Sequence, residues 1–290
     1  MFAYMKIKLW EISPLRNMTI FKLHPESVLF LSLDSCRYDV FNAASVPNLS
    51  SIGPLHKAHS PSYYTYASHS SFWMGFTPGV IDCLDPWLNP KMGKLFRMSF
   101  AGSGGNDRDG FSLNGSNIIE GFSQLGYKCI GSGAVSWFNT NTPTGSVLTA
   151  PFHSFFYSGN TWSLNCQLQW IYEQLANIAS TQPVFLFLNV GETHVPYWHE
   201  GANWNAWPSP CVPFGDIHSS FDLCFLRQRL CLEWVDLAIS DLLASFSSAT
   251  ILACSDHGDC WGEDGLWEHG ISHWATLTVP LLLRVRGRSI

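Results

Sequence analysis

The sequence is poor in charge, and its basic residues form no cluster. Lysine and arginine together number 16 against 22 aspartates and glutamates, which gives a net charge of −6. Proteins that bind nucleic acids neutralise phosphates with a concentrated positive surface, so we expect no nucleic acid as a partner. The longest apolar runs, such as 184–188 and 279–283, are far shorter than the roughly 20 residues that span a bilayer. The sequence therefore predicts no membrane insertion.

The sequence also shows no pattern typical of an export signal and no C-x-x-C motif. Residues 1–21 carry scattered charges and no compact apolar stretch followed by a small-residue cleavage site. The nine cysteines are odd in number and contain no C-x-x-C pair, which favours reduced thiols. Both observations indicate a cytoplasmic protein.

Apolar segments bounded by turn residues recur along the chain. They are typical of strands buried on both faces: 27–33, 127–133, 183–190, 249–255 and 279–285. Apolar residues at helical spacing predict two amphipathic helices, over 164–175 and 223–242. Alternating strands and helices favour an α/β fold of three layers, α/β/α, with a mostly parallel central sheet.

Composition and length predict one domain with two irregular segments. Apolar residues make up 46% of the chain, enough for one large core, so we expect a single domain over 27–290 after an N-terminal extension, 1–26. The glycine-rich segment 101–110 lacks the lysine of a phosphate-binding loop and indicates a surface loop. The segment 201–216, rich in tryptophan and proline, predicts an irregular excursion that could act as a lid.

Ionisable side chains follow three of the predicted strands: Asp34 after the first, Glu192 and His194 after 183–190, and Asp256 and His257 after 249–255. Ligands of open α/β sheets bind beyond the carboxyl ends of the strands. An unpaired buried carboxylate costs several kcal/mol, so this convergence indicates either a cation or a paired network. A metal is the simpler account. The alternatives are that Asp34 caps a helix and that His194 is a hydrogen-bonded loop residue.

Three motifs occur in a fixed order. VLFLSLDSCRYD contains Asp34, THVPY contains His194, and SDHGDCWGEDGLWEHG (255–270) precedes VPLLLRV. Together they resemble the alkaline phosphatase superfamily, especially its sulfatase-like and phosphoethanolamine-transferase-like branches. In that family S-D-H-G supplies two metal ligands and a histidine a dozen residues later can supply another. The resemblance covers residues 27–285 and implies an alkaline phosphatase-like metalloenzyme.

The resemblance also implies a threonine nucleophile. The segment TYASHSSFWMG (65–75) occupies the place of the sulfatase C-x-P-S-R motif, with Thr65 where the cysteine would be. Threonine cannot be oxidised to formylglycine, which disfavours a sulfatase. A threonine on a divalent metal resembles the phosphoryl-transferring members, because coordination lowers the pKa of the hydroxyl. The alternative is that Thr65 is an ordinary helix N-cap.

By the same resemblance, one cation is expected among four ligands: Asp34, Thr65, Asp256 and His257. His194 and His269 either bind a second ion or stabilise charge on the substrate. Four further residues are expected to contact substrate: Ser68, His69, Glu192 and Tyr197. Zinc is favoured and manganese is possible on affinity grounds, as one ion or two.

Two positions depart from the family's sequence pattern, which limits the residue roles that the resemblance implies. Val190 stands where two-zinc phosphatases have an aspartate, and Ala134 stands near the place of a sulfatase lysine. Arg37 and Asp39 either orient the first metal ligand or form a surface ion pair.

The sequence therefore predicts a metal-dependent hydrolase or transferase acting on a phosphate or phosphonate ester, with a small anionic ester as substrate. Two alternatives are open. One is a non-catalytic module that binds metal and an anion, and the other is a metalloenzyme of this fold with different chemistry.

Overall fold

The computed structural model describes residues 20–75 and 117–290. The predicted surface loop 101–110 and most of the predicted extension 1–26 lie outside these ranges. The segment 201–216 contains neither helix nor strand, in agreement with the sequence, and its role as a lid stays a prediction. Within the described ranges, no helix has the length and apolarity needed to cross a bilayer.

Ten strands occur in the described residues: β1 (Val28–Leu33), β2 (His56–His59), β3 (Lys128–Gly133), β4 (Ser154–Tyr157), β5 (Val184–Val190), β6 (Thr250–Ser255), β7 (Cys260–Trp261), β8 (Trp267–Glu268), β9 (Thr278–Val285) and β10 (Arg288–Ser289). Eight of them form one sheet in the order β10-β9-β6-β1-β5-β3-β4, with β2 also paired to β9. Strands β7 and β8 form a separate antiparallel hairpin. All five strands predicted from the apolar runs are present within a residue of their expected ends.

The sheet is parallel from β6 through β1, β5 and β3 to β4. By contrast, β9 runs antiparallel to β6, β2 and β10. The connection from β6 to β9 holds only a short hairpin and a four-residue helix, Trp274–Leu277. Because it provides no long helical crossover, the chain re-enters the sheet from the edge that it has just left. The predicted α/β fold with a large, mostly parallel sheet is confirmed. The sequence did not predict that β9 runs antiparallel to β6.

The helices of the described residues are α1 (Tyr38–Ala43), α2 (Pro47–Ser50), α3 (Thr65–Met74), α4 (Ile118–Gln124), α5 (Pro143–Thr149), α6 (Leu164–Ala176), α7 (Phe221–Ala238), α8 (Ser240–Ser245) and α9 (Trp274–Leu277). The predicted helix 164–175 corresponds to α6. The predicted helix 223–242 is in fact two, α7 and α8. The backbone leaves helical geometry at Ile239, with φ −90° and ψ 3°, so the apolar repeat continues through a break.

Helices cover both faces of the sheet. Successive side chains of a strand point to opposite faces: Leu29, Leu31 and Leu33 of β1 pack into a cluster with α1, α2, α6, α7 and α8. Phe30 points the other way, into a second cluster that includes α3, α4 and α5. The order helix, sheet, helix therefore follows from the central strand β1, which points apolar side chains to both faces of the sheet.

Candidate metal centre

Polar side chains converge at the carboxyl ends of three neighbouring strands. Leu33 of β1 pairs with Val190 of β5 on one side and with Ser255 of β6 on the other. The residues that follow these strand ends are thus brought to one edge of the sheet: Asp34, His194, Asp256 and His257. Thr65 reaches the same place as the first residue of α3. The structure therefore unites all four residues expected to surround the first cation.

The four side chains are buried and close together. Asp34, Asp256 and His257 offer ligand atoms that lie within 4.8 Å of one another. Nε2 of His257 lies 3.8 Å from Oδ1 of Asp34 and 3.6 Å from Oδ2 of Asp256. The Oγ1 of Thr65 lies 3.2 Å from the same Nε2. These distances leave the four groups facing a common point.

The chemistry of this donor set fits a divalent cation. Nδ1 of His257 donates to the carbonyl of Gly258 over 3.0 Å, which leaves Nε2 with its lone pair. Burial, with a further contribution from His269, lowers the pKa of His257 to about 3, so this imidazole is neutral. Burial and the Asp34 carboxylate raise the pKa of Asp256 well above its usual range. Oδ2 of Asp256 has no hydrogen-bond partner among residues 20–75 and 117–290. A cation would satisfy that oxygen and offset the repulsion between the two carboxylates.

The capping alternatives for two of these residues are wrong. Helix α1 begins at Tyr38, four residues after Asp34, and Arg37 is in its cap position. Helix α3 begins at Thr65 itself, with Tyr64 in the cap position. Neither the Asp34 carboxylate nor the Thr65 hydroxyl therefore caps a helix, and both are available to the site.

Asn189 orients the Asp34 carboxylate. Its amide oxygen accepts from the backbone N–H of Ala134 over 3.1 Å, so its NH₂ group must point the other way. That group donates to Oδ2 of Asp34 over 3.0 Å. The Thr193 hydroxyl donates to the carbonyl of Asp34 over 2.7 Å. The bond from Asn189 restrains rotation of the Asp34 side chain, and the bond from Thr193 restrains its backbone.

A second group of ligand atoms adjoins the first. His257, Asp259 and His269 also place ligand atoms within 4.8 Å of one another. Nδ1 of His269 donates to Oδ1 of Asp259 over 2.7 Å. Burial alone would lower the pKa of His269, but Asp259 raises it to about 9. The ring of His194 lies 5.2 Å from that of His269. The roles of His194 and His269, as ligands of a second ion or as groups that stabilise charge, stay predictions.

Asp259 was missed in the sequence, although it lies within the SDHGD motif. At Gly258 the backbone packs closely on another segment, since a Cβ there would lie 2.2 Å from the carbonyl oxygen of Ala275. Asp259 is fully buried, and its Oδ2 accepts from the Tyr197 hydroxyl over 2.7 Å. Three-residue spacing from Asp256 is a signal only once the path of this segment is known.

The four residues expected to contact substrate all have partners inside the protein. Ser68 donates to the carbonyl of Asp256 over 2.7 Å. His69 packs in the second core cluster, and its Nδ1 donates to the carbonyl of Thr65 over 2.8 Å. Glu192 accepts from the N–H of Leu164 at the start of α6. Together with the bond from Tyr197 to Asp259, these contacts place the four behind the metal-ligand candidates. Direct contact with substrate stays a prediction.

Arg37 is an interior group, so a surface ion pair is the wrong alternative for it, and its orienting of the first metal ligand stays a prediction. Its side chain is 2% exposed, pairs with Asp39 over 2.7 Å and with Glu263, and donates to the carbonyl of Asp259 over 3.1 Å. The guanidinium lies 4.3 Å from the ring centroid of Trp261. Arg37 thus ties the loop after β1 to the segment that carries Asp259.

Gln228, which sequence reasoning missed, joins the loops after β1 and β5. It lies on the buried face of α7 and is fully buried. Its Oε1 accepts from the N–H of Arg37 over 3.1 Å. Its NH₂ group donates to the carbonyls of Ser35 and Thr193, each over 2.9 Å. The only signal in the sequence is a single glutamine among the apolar residues of a helix face.

We expect Gln228→Leu to destabilise the protein and to weaken metal binding. Three buried backbone groups would lose their partner, at about 1–3 kcal/mol each, so a loss of about 3 kcal/mol or more in the free energy of unfolding is expected. Urea unfolding and zinc titration measure the two effects. Gln169→Leu, at an exposed site on α6, is the matched control and should change stability by less than about 0.5 kcal/mol. Equal stability of the two variants would contradict the bridging role.

Comparisons with known proteins support the fold. No protein-family model matches the chain, and no curated protein matches its sequence. The similar solved structures include the following three. The periplasmic domain of a phosphoethanolamine transferase from Campylobacter jejuni is 12% identical, with 90% of this chain and 80% of that one covered and a TM-score of 0.57. The corresponding Escherichia coli domain in complex with zinc is 13% identical, with 91% and 74% covered and a TM-score of 0.57. An alkaline phosphatase superfamily protein from Vibrio parahaemolyticus is 11% identical, with 93% and 62% covered and a TM-score of 0.52.

The prediction of a cytoplasmic protein is corrected by this comparison. Two of the three similar structures are periplasmic domains, which points away from a cytoplasmic location. The eight cysteines of the described residues are free, but unpaired cysteines do not identify a compartment.

The similarity covers 90–93% of this chain in the three comparisons. It agrees with the motifs found in the sequence, and the predicted resemblance is confirmed at the level of the fold. The chain has an alkaline phosphatase-like fold.

Proposed function

We propose that this protein is a metal-dependent enzyme that hydrolyses or transfers a phosphate or phosphonate ester, with Thr65 as the nucleophile. The observation that carries the proposal is the position of the Thr65 hydroxyl, 3.2 Å from Nε2 of His257 and within the buried group formed with Asp34 and Asp256. An ordinary core would not place a hydroxyl beside a neutral imidazole that itself lies within 4 Å of two carboxylates. The zinc complex of the similar E. coli domain supports a divalent metal at such a site.

Asp34, Asp256, His257 and Thr65 would hold the cation, for which zinc is the first choice. When bound, it would lower the pKa of the Thr65 hydroxyl and offset the negative charge of the phosphoryl group.

The protein's own residues position the reacting groups. Oγ1 of Thr65 forms a bond to phosphorus as the bond from phosphorus to the ester oxygen breaks; the hydroxyl proton passes to water, and the departing alkoxide takes a proton from water. The first turn of a helix leaves its N–H groups without intrahelical partners, so α3 offers donors to the phosphoryl oxygens beside Thr65. A water or an acceptor alcohol then attacks phosphorus and restores the Thr65 hydroxyl.

A panel of esters tests this function. Zinc-loaded protein is offered an aryl phosphate monoester, a phosphodiester, a phosphonate monoester and an aryl sulfate, with and without a chelator. We expect turnover of at least one phosphorus ester, lost on chelation, and none of the sulfate ester. Stoichiometric zinc without turnover of any ester would favour a binding module, and turnover of the sulfate ester would contradict the role of Thr65.

A further inference from the structure

A cavity of about 330 Å³ opens beside His269. It lies between the irregular segment 201–216 and the turn that follows the β7–β8 hairpin. Its walls are mainly apolar and are formed by Phe214, Leu266, Trp267 and Ile271, and its two ionisable side chains are Glu268 and His269. Its volume is at the lower end of the range of small-molecule sites, enough for one small group.

The cavity adjoins the proposed reaction centre. The ring of His269 lies 4.5 Å from the ring of His257, whose Nε2 faces the Thr65 hydroxyl. The N–H of Gly270, another lining residue, donates to the carbonyl of Tyr63 over 2.8 Å, which ties the cavity to the segment that leads into α3. A group esterified to a phosphorus at Thr65 would therefore extend past His269 into this space.

The cavity walls hold unusual backbone geometry. Phe214 and Glu268 both have positive φ, 66° and 63°, a region that non-glycine residues adopt at a cost. Such strain persists only where the surrounding structure enforces it, and it concentrates at ligand sites. The segment next to Phe214 packs closely on the opposite wall, since a Cβ at Gly215 would lie 2.6 Å from Nε1 of Trp267.

Glu268 gives the cavity its polar character. Its carboxylate makes no hydrogen bond or ion pair with any residue in the described parts of the chain, although it lies beside His269 and within the field of Asp259. An ionised carboxylate accepts hydrogen bonds from a donor and repels a second anionic group on the same ligand. Because burial raises the pKa of Glu268 to about 7, both effects are expected in full above that pH.

We propose that this cavity binds the group esterified to the transferred phosphorus. This group is mainly apolar, but it bears a hydrogen-bond donor and carries no negative charge. Glu268 is its specificity-determining residue. This inference rests on the proposed function for the position of the phosphorus, and it adds the class of substrate.

Binding of phosphonates tests the proposal without turnover. Calorimetry with zinc-loaded protein compares methylphosphonate with phenylphosphonates that bear a para methyl, hydroxymethyl, aminomethyl or carboxylate group. We expect every uncharged phenyl ligand to bind more tightly than methylphosphonate. The hydroxymethyl or aminomethyl ligand should bind about tenfold more tightly than the para-methyl one, and the carboxylate ligand more weakly. The two donor-bearing ligands distinguish a neutral group from a cationic one.

Three variants assign the effect to residues. Glu268→Gln should remove most of the tenfold preference for a donor and leave the para-methyl ligand within about twofold. Phe214→Ala should weaken all phenyl ligands and leave methylphosphonate unchanged. Glu173→Gln, which removes an exposed carboxylate on α6, is the matched control and should change nothing. Thermal unfolding of each variant confirms that it is folded.

The outcomes separate this inference from the proposed function. Equal affinity for all phenylphosphonates, or no binding of any phosphonate, would overturn the subsite. Turnover of simple aryl phosphates without these preferences would leave the function intact and refute the subsite. The expected preferences without turnover of any ester would support the subsite and refute the function.

Discussion

Thr65→Ala is expected to abolish ester turnover, by at least about a thousandfold, while zinc content stays stoichiometric. The variant removes the attacking oxygen, and loss of a nucleophile costs far more than loss of one binding contact. Asp34, Asp256 and His257 still present their ligand atoms to one another, so they should retain the metal. Steady-state kinetics on the best ester of the panel, together with metal analysis of the same samples, measures both quantities.

Thr65→Ser is the matched control. Serine keeps a hydroxyl at the same position and loses only a buried methyl group, so activity should recover to within about tenfold of the original protein. Two results would count against the assignment: an alanine variant that still turns over, and a serine variant as inactive as alanine. A loss of zinc in the alanine variant would instead mean that Thr65 acts chiefly as a ligand.

Asp256→Asn is expected to remove zinc binding and turnover together, without weakening the metal-free fold. Asparagine keeps Oδ1, which accepts from the N–H groups of Ser35 and His257. It replaces the unpartnered Oδ2 and ends the repulsion with Asp34. With a chelator present, the variant should therefore unfold at the same temperature as the original protein or a higher one.

Added zinc should raise the unfolding temperature of the original protein but not that of the Asp256→Asn variant. Metal at a thousand times its dissociation constant stabilises the native state by about 4 kcal/mol, so the original protein should gain stability and the variant should not. Asp264→Asn, which changes an exposed carboxylate in the nearby turn, is the control and should keep its zinc. A variant that binds zinc normally would refute the site, and one that is much less stable under chelation would show that the Asp256 carboxylate serves the fold.

Five of the ten strands of the described residues and the first metal group could be predicted from the sequence because their signals are local. A buried strand of a parallel sheet is an uninterrupted apolar run, and the polar residue after it marks the end of the strand. Asp34, Asp256 and His257 each follow such a run directly. Once the strands are taken as parallel neighbours, their ends must lie at one edge of the sheet.

Several features required the tertiary structure. Strand β9 has the same apolar character whichever way it runs, and its antiparallel direction goes with a preceding connection that contains no long crossover helix. Periodicity also does not show that the predicted helix 223–242 breaks at Ile239, because apolar residues continue at helical spacing through the break. A pattern of residue types reports which side of an element is buried, but not its direction or its continuity.

The amino-acid sequence by itself determined five strands of the sheet, the order of the motifs and the residues that follow the central strands, since each depends on neighbours along the chain. Only the tertiary structure decided that Asp259 joins the site, that Gln228 bridges two of its loops and that a cavity opens beside His269. Those contacts join residues that are distant in sequence, and a turn or a helix packed against a strand end brings them together. No local pattern encodes such distances, because they depend on how the whole core packs.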